Sequence, residues 1–87
     1  MARYSIVIKT SALKEIERIA SREDRRRVVA GIRGLADDPS PAGCEKLVGG
    51  ERYRVRQGVY RIIYSIEDEQ LIVHVVKVGH RRDVYRR

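Results

Sequence analysis

The spacing of apolar residues changes period twice along this chain. Near the amino terminus Tyr4, Ile6 and Ile8 alternate with Ser5, Val7 and Lys9, which is the two-residue repeat of a β-strand. The spacing then becomes three and four residues, beginning with Leu13 and Ile16, and this is typical of an amphipathic helix. A strand followed directly by a short first helix is therefore predicted.

A second helix is predicted over residues 22–36. Ser21, with Asp24 three residues later, resembles an N-terminal helix cap, and acidic residues at this point favour a helix start. The turn-forming run over residues 37–41 ends the helix. Its predicted apolar stripe consists of Val28, Val29, Ile32 and Leu35.

The second half of the chain has the two-residue repeat of strands. Residues 39–50 are rich in turn formers and are predicted to be a loop. Gln57 and Gly58 are predicted to form a two-residue hairpin turn. The last strand is almost continuously apolar, which predicts a central strand buried on both faces. The three predicted strands cover residues 52–56, 59–66 and 71–78.

The element order is thus β-α-α-β-β-β. With 87 residues there is room for one small core, so residues 1–87 are predicted to be a single α+β domain. We expect two N-terminal helices packed on a small, mainly antiparallel four-stranded sheet, followed by a short C-terminal segment. Cys44 is the only cysteine, and no apolar run suits a signal peptide or membrane helix, so a cytoplasmic protein is predicted.

Positive charge is concentrated toward the carboxy terminus. Residues 52–87 contain nine of the nineteen lysines and arginines and four acids, which leaves +5 of the formal +7. Such an imbalance points to an anionic partner, namely nucleic acid, an acidic membrane surface or an acidic protein. The membrane is the weakest of these, because the arginines lie within short strand-like runs and not along an amphipathic helix.

Three arginines are predicted to share one face of the second and third strands. A tight turn at Gln57-Gly58 places Arg54 opposite Arg61 and Arg56 opposite the start of the next strand. Like charges opposite each other destabilise a sheet by a few tenths of a kcal/mol to about 1 kcal/mol. No acid is predicted to face them, and a phosphate between the arginines relieves the repulsion.

Two segments carry a family resemblance, together with the element order. The run Tyr53-Arg54-Val55-Arg56-Gln57-Gly58-Val59-Tyr60-Arg61-Ile62-Ile63-Tyr64 and the run Val78-Gly79-His80-Arg81-Arg82-Asp83-Val84-Tyr85 resemble the RelE branch of the RelE/ParE toxin superfamily. The resemblance implies a toxin of a type II toxin-antitoxin system that cuts mRNA in the ribosomal A site. In this chemistry the 2'-hydroxyl attacks the adjacent phosphate, and neither metal nor cofactor is required.

The resemblance also implies partners. These are the ribosome, its mRNA and a RelB-like antitoxin. The free toxin is expected to be a monomer, and a hetero-oligomer is expected with the antitoxin.

The resemblance assigns roles residue by residue. Arg61 matches the phosphate-binding arginine, and Arg81 matches the catalytic arginine after the last strand. Tyr85 matches the tyrosine that stacks on the substrate base and serves as general base. Arg54 and Arg56 match paired basic residues on the second strand. A guanidinium suits these roles, because it bonds two phosphate oxygens at once.

One departure from the family pattern affects proton transfer. Some relatives carry lysines where this chain has Arg54 and Arg56, and a guanidinium does not give up its proton. The acid role is therefore predicted to move to His80, because histidine titrates near neutral pH. Arg82 and Arg86, in the same C-terminal segment, are predicted to contact RNA.

Two other functions remain open from the residues. A ParE-like toxin shares the fold but poisons DNA gyrase, and such toxins generally lack the combined basic and tyrosine site. A non-catalytic RNA-binding relative would bind RNA without cutting it.

A second basic cluster lies at the start of the second helix and has two interpretations. It is a solvated helix face partly neutralised by Glu23 and Asp24, or it is a contact for ribosomal RNA. The cluster consists of Arg22, Arg25, Arg26 and Arg27.

Overall fold

A computed structural model describes residues 3–80 and residue 82. Two helices lie on one side of a five-stranded sheet with strand order β1-β5-β4-β3-β2. Along the chain the elements are β1 (Ser5–Ile8), α1 (Thr10–Glu17), α2 (Arg22–Gly34), β2 (Glu45–Lys46), β3 (Arg52–Gln57), β4 (Tyr60–Glu67) and β5 (Ile72–His80).

The sheet is mainly antiparallel, as predicted, with β1 pairing in parallel with β5 at one edge. The predicted strand count of four was wrong, because residues 39–50 contain the short edge strand β2. Its two residues, Glu45 and Lys46, are both exposed and polar. A strand of this length has no apolar alternation, so the hydrophobic pattern cannot reveal it.

Helix α2 begins where the capping pattern predicts. The Ser21 hydroxyl oxygen accepts a hydrogen bond from the Asp24 backbone N–H at 3.2 Å, which satisfies one of the free N–H groups of the first turn. Val28 and Ile32 on the predicted stripe are buried, and so is Leu35 just after the helix. The cap and the stripe together fix which side of α2 faces the sheet.

The core lies between the helices and one face of the sheet. The fully buried side chains of the two central strands are Ile62 and Tyr64 of β4 and Val73, Val75 and Val78 of β5, whereas most other residues of these strands are half-buried. The prediction that β5 is buried on both faces was therefore wrong, although β5 does run between β1 and β4. The buried core residues are Ala12, Ile16, Ile19, Val28, Ile32, Leu35, Val55, Ile62, Tyr64, Val73, Val75 and Val78.

Helix α1 protects the edge of β5 beyond the end of β1. The ladder between the two strands ends at Ile8 opposite Val75. Farther along β5, a Glu15 carboxylate oxygen accepts the Val78 backbone N–H at 2.9 Å, and the other accepts from Lys77 Nζ at 3.1 Å. The Glu15 side chain thus supplies the hydrogen-bond acceptor that β1 would provide if the ladder continued. Among the described residues, no helix is long and apolar enough to cross a membrane.

Candidate nucleic-acid interface

The hairpin between β3 and β4 turns at Gly58 and Val59. Gly58 has a φ of 62° at the first turn position, a conformation that glycine adopts without strain and that tight hairpin turns require. Gln57 consequently pairs with Tyr60. The predicted turn at Gln57-Gly58 was wrong by one residue, because the glycine occupies the first position of the turn.

This register places Arg56 directly opposite Arg61. The prediction that Arg54 faces Arg61 was wrong, since Arg54 lies opposite Ile63. The predicted faces are nevertheless correct, because the neighbouring residues Val55 and Ile62 pack into the core on the helix side. Arg54, Arg56 and Arg61 therefore share the sheet face that points away from the helices, which we call the arginine face.

Arg54 has an acidic partner that the hydrophobic pattern did not predict. The Arg54 Nη2 and Nε atoms donate to the same carboxylate oxygen of Glu45 at 2.8 and 3.1 Å. Strand β2 makes this contact, since it pairs Glu45 with Arg54 across the ladder. The pair is partly exposed and stabilises the fold by about 1 kcal/mol at most. Its larger effect is to hold the Arg54 guanidinium in one place.

A shallow cavity on the arginine face has a volume of about 280 Å³. Its walls come from three strands and from the chain just before β2. Guanidinium groups on several sides of one cavity suit an anion such as a phosphate group. The lining residues are Ala42, Gly43, Glu45, Arg54, Val55, Arg56 and Arg61.

A buried tyrosine supports the arginine face from behind. Tyr64 on β4 is fully buried, its ring stacks on that of Tyr53 with centroids 5.9 Å apart, and its hydroxyl donates to the Pro39 carbonyl oxygen at 2.7 Å. Burial raises the pKa of the Tyr64 phenol, and the nearby Cys44 raises it further. Tyr64 thus ties the chain that leads to β2 to the centre of the sheet.

His80 lies on the other side of the sheet from Arg61. Its ring meets the Tyr60 ring edge-on, with centroids 5.8 Å apart. His80 and Tyr60 line a cavity of about 250 Å³ together with Glu15 and Arg18 of the helical layer. Because Arg61 follows Tyr60 on β4, its side chain points to the opposite face. The structure therefore does not bring His80 together with the arginine face.

The predicted C-terminal residues are only partly within the described chain. Arg82 is exposed, and its backbone N–H donates to His80 Nδ1 at 3.2 Å. Arg81, Tyr85 and Arg86 lie outside the described residues, so their roles stay predictions. Of the predicted site residues, the structure brings together Arg54, Arg56 and Arg61.

Sequence reasoning missed Glu45. A usable signal was present, because Gly49 and Gly50 separate Glu45-Lys46 from Arg52 by a length that suits a hairpin loop. Treating this glycine pair as a turn predicts an acidic residue beside the arginines of β3.

Comparisons with known proteins agree with this architecture. A family model described as ParE toxin of type II toxin-antitoxin system, parDE, matches residues 6–85. Toxin RelG of Mycobacterium tuberculosis is 30% identical over 87 residues, which covers 97% of this chain and 98% of RelG. A putative RelE-like toxin protein of Escherichia coli is 31% identical over 88 residues, covering 95% and 90% of the two chains.

Solved structures share the whole fold. A chain of the toxin-antitoxin complex RelBE2 from Mycobacterium tuberculosis superposes with a TM-score of 0.83 at 27% identity, covering 95% of this chain and 97% of the other. A chain of the archaeal RelE-RelB complex from Pyrococcus horikoshii gives 0.81 at 25% identity, covering 93% and 98%.

The fold and the arginine face therefore define a small basic toxin of the α+β type. The chain belongs to the ParE toxin family, within the RelE/ParE superfamily, and is a toxin of a type II toxin-antitoxin system.

Proposed function

We propose that this toxin is a ribosome-dependent endoribonuclease that cuts mRNA in the A site and so inhibits translation. One observation carries the proposal: Arg56 lies directly opposite Arg61, beside the anchored Arg54, on a sheet face that the helices leave open. Two guanidinium groups on directly opposite residues place positive charge close together, and an anion that binds between them lowers their mutual repulsion. The phosphate at the cleaved bond of an RNA is an anion of the required kind.

The proposed reaction needs no metal. The 2'-oxygen attacks the adjacent phosphorus while a base takes its proton, and the bond from phosphorus to the 5'-oxygen breaks. The products are a 2',3'-cyclic phosphate and a 5'-hydroxyl that has received a proton from an acid. Arg61, with Arg81, stabilises the charge of the pentacoordinate phosphorus, and Tyr85 is the proposed base.

The placement of His80 changes its proposed role. Its ring lies beside Tyr60 on the helix side, whereas Arg61 points to the other face. We therefore assign His80 a positioning role: Nδ1 accepts the Arg82 backbone N–H and so holds the backbone at Arg82, two residues past His80. Its predicted role as the acid remains the alternative, and a pair of His80 substitutions distinguishes the two roles.

A RelB-like antitoxin is the proposed protein partner. The support comes from the solved relatives, two of which are chains of complexes named toxin-antitoxin RelBE2 and RelE-RelB. A strongly basic toxin, with a formal charge of +7, suits an acidic inhibitor.

Poisoning of DNA gyrase is the second candidate. The match of residues 6–85 to the ParE model favours it. A ribonuclease produces new RNA ends in cells, whereas a gyrase poison produces DNA breaks. Measuring both therefore distinguishes the two candidates.

The decisive experiment maps RNA ends in cells after brief expression of the toxin. Wild type is expected to produce new 5'-hydroxyl ends within translated codons, and Arg61→Gln is expected to lose them. Arg3→Gln is the matched control, because Arg3 is an exposed arginine whose ion pair, with Asp37, lies away from the arginine face. Growth arrest without new RNA ends, accompanied by DNA breaks, would reject the ribonuclease in favour of gyrase poisoning.

A further inference from the structure

Helix α2 carries a second set of arginines, on the surface opposite the arginine face. The helix packs with its apolar stripe against the same side of the sheet as α1, so its outer side faces away from Arg56 and Arg61. That outer side forms a shallow groove of about 560 Å³. We call it the α2 stripe, and it consists of Arg22, Arg25, Arg26, Val29, Ala30 and Arg33.

Three of the four arginines of the α2 stripe point in nearly one direction. An α-helix turns about 100° per residue, which places Arg22, Arg26 and Arg33 within about 40° of one another around the axis. Arg22 and Arg26 begin about 6 Å apart along the helix, because each residue adds about 1.5 Å. That separation suits successive phosphates of one nucleic-acid strand.

The neighbouring acids do not neutralise this stripe. Glu23 pairs instead with Arg27, at 3.7 Å, on the next side of the helix. Asp24 lies on the opposite side from Arg33, about 180° around the axis. Within residues 3–80, no carboxylate forms an ion pair with an arginine of the α2 stripe. Glu23 therefore partly neutralises the cluster through Arg27, as the first interpretation holds, but it forms no ion pair with the arginines of the α2 stripe.

One of these arginines also has an unused donor. The Nε atom of Arg25 is buried and has no hydrogen-bond partner among the described residues. A buried donor without an acceptor costs free energy, and an acceptor supplied by a bound partner removes that cost.

The apolar content of the α2 stripe is too small for a protein helix. Val29 is half-buried against the core, and Ala30 offers one methyl group. Protein interfaces gain most of their affinity from large buried anchors, which this groove does not offer. The large apolar residues exposed in the described chain all lie elsewhere: Val7, Leu13, Val48, Val59 and Leu71.

We infer that the α2 stripe binds the phosphate backbone of ribosomal RNA, separately from the message held on the arginine face. The inference rests on the proposed ribosome-dependent function. Basic surfaces on opposite sides of the molecule fit a protein that works in a cleft lined with RNA, because both walls then present phosphates. The message is the substrate on one side, and ribosomal RNA positions the toxin on the other.

The test measures binding to isolated bacterial 30S subunits without message, between 50 and 200 mM KCl. In Arg22→Gln/Arg26→Gln, two phosphate contacts are lost, so the slope of log affinity against log salt concentration is expected to fall by about 1.4 to 1.8. Arg22→Lys/Arg26→Lys keeps the charges and is expected to retain most of the slope. Lys9→Gln/Lys14→Gln removes two exposed charges at α1 and is expected to leave the slope near that of wild type.

Three results would overturn the inference. The first is an equal change of slope in the α2 and α1 variants, which would show that the effect comes from the net charge of the protein and not from contacts of the α2 stripe. The second is unchanged 30S binding in the α2 variant together with lost binding to the RelB-like antitoxin, which would make the α2 stripe a protein interface. The third is a wild-type toxin that does not bind 30S subunits.

Cleavage of message on programmed ribosomes is measured in parallel and tests the proposed function separately. If wild type shows stripe-dependent 30S binding but leaves the message uncut, the ribonuclease proposal fails and the docking inference stands. If cleavage occurs, the α2 double variant is expected to need more ribosomes for half-maximal rate while it retains the maximal rate.

Discussion

Arg56 on β3 lies directly opposite Arg61 on β4, at the end of a hairpin whose turn begins at Gly58. Two guanidinium groups opposite each other favour an anion more than they favour the free protein, because repulsion between them falls when a phosphate binds. The facing arginines are therefore expected to lower the stability of the hairpin and to raise its affinity for phosphate.

Arg56→Gln tests that coupling. Removing one of the two facing charges is expected to raise the free energy of unfolding by a few tenths to about 1 kcal/mol. Cleavage of ribosome-bound message is expected to fall by about 10²-fold, the usual loss when one stabilising donor is removed. Urea denaturation and single-turnover cleavage give the two values. Arg52→Gln, opposite Ser65 on the same two strands, is the control, and a loss of both stability and activity in Arg56→Gln would contradict the coupling.

His80→Asn and His80→Ala separate a positioning role from proton donation. The asparagine amide oxygen is able to accept the Arg82 backbone N–H in place of Nδ1, whereas alanine is not. If His80 positions the C-terminal segment, asparagine is expected to retain most of the cleavage rate, with the pH profile of wild type, and alanine is expected to lose it. Equal loss in both variants, together with a changed acid limb of the profile, would identify His80 as the acid.

Glu15→Ala and Glu15→Gln test how α1 protects the edge of β5. Alanine leaves the Val78 N–H without its side-chain acceptor, so a loss of about 1 to 3 kcal/mol is expected. Glutamine keeps an acceptor oxygen and is expected to lose less. Hydrogen exchange at the Val78 amide is the specific readout: it is expected to be fast in the alanine variant and slow in the glutamine variant. Fast exchange in wild type would contradict the role of Glu15.

The buried phenol of Tyr64 is expected to make the free energy of unfolding fall at alkaline pH. Burial raises the pKa of its phenol above the ordinary value of 10.0, so the folded protein holds this proton at a pH where the unfolded chain releases it. The contribution of Tyr64 to stability is therefore complete below about pH 10 and falls as the pH rises further. Urea denaturation at pH 8, 10 and 11 measures the decline.

Tyr64→Phe provides the comparison for that decline. It removes the hydrogen bond to the Pro39 carbonyl oxygen and is expected to cost about 1 kcal/mol near neutral pH. It also removes the titrating group, so its stability is expected to fall less between pH 10 and 11 than that of wild type. Parallel curves for the two proteins would assign the alkaline loss to other groups.

Local pattern predicted much of this molecule. The Ser21 cap, the apolar stripe of α2 and the alternation in β3 and β4 are each set by neighbours a few residues away, and each is present as predicted. The arginine face follows from the same alternation, because side chains at every second position of a strand share a face whatever the exact register. The family resemblance was likewise carried by local runs, and the family match confirmed it.

What the sequence left undecided depends on contacts between distant segments. The two-residue strand β2 forms only because β3 pairs with it, and this pairing brings Glu45 to Arg54. The opposition of Arg56 to Arg61 depends on where Gly58 sits in the turn, and a one-residue change alters every partner. The sequence by itself determined which residues share a face. Only the tertiary structure decided that His80 faces α1 while Arg61 faces away. The pairing of β4 with β5 sets this relation, because it places His80 beside Tyr60 and Arg61 beside Gly79.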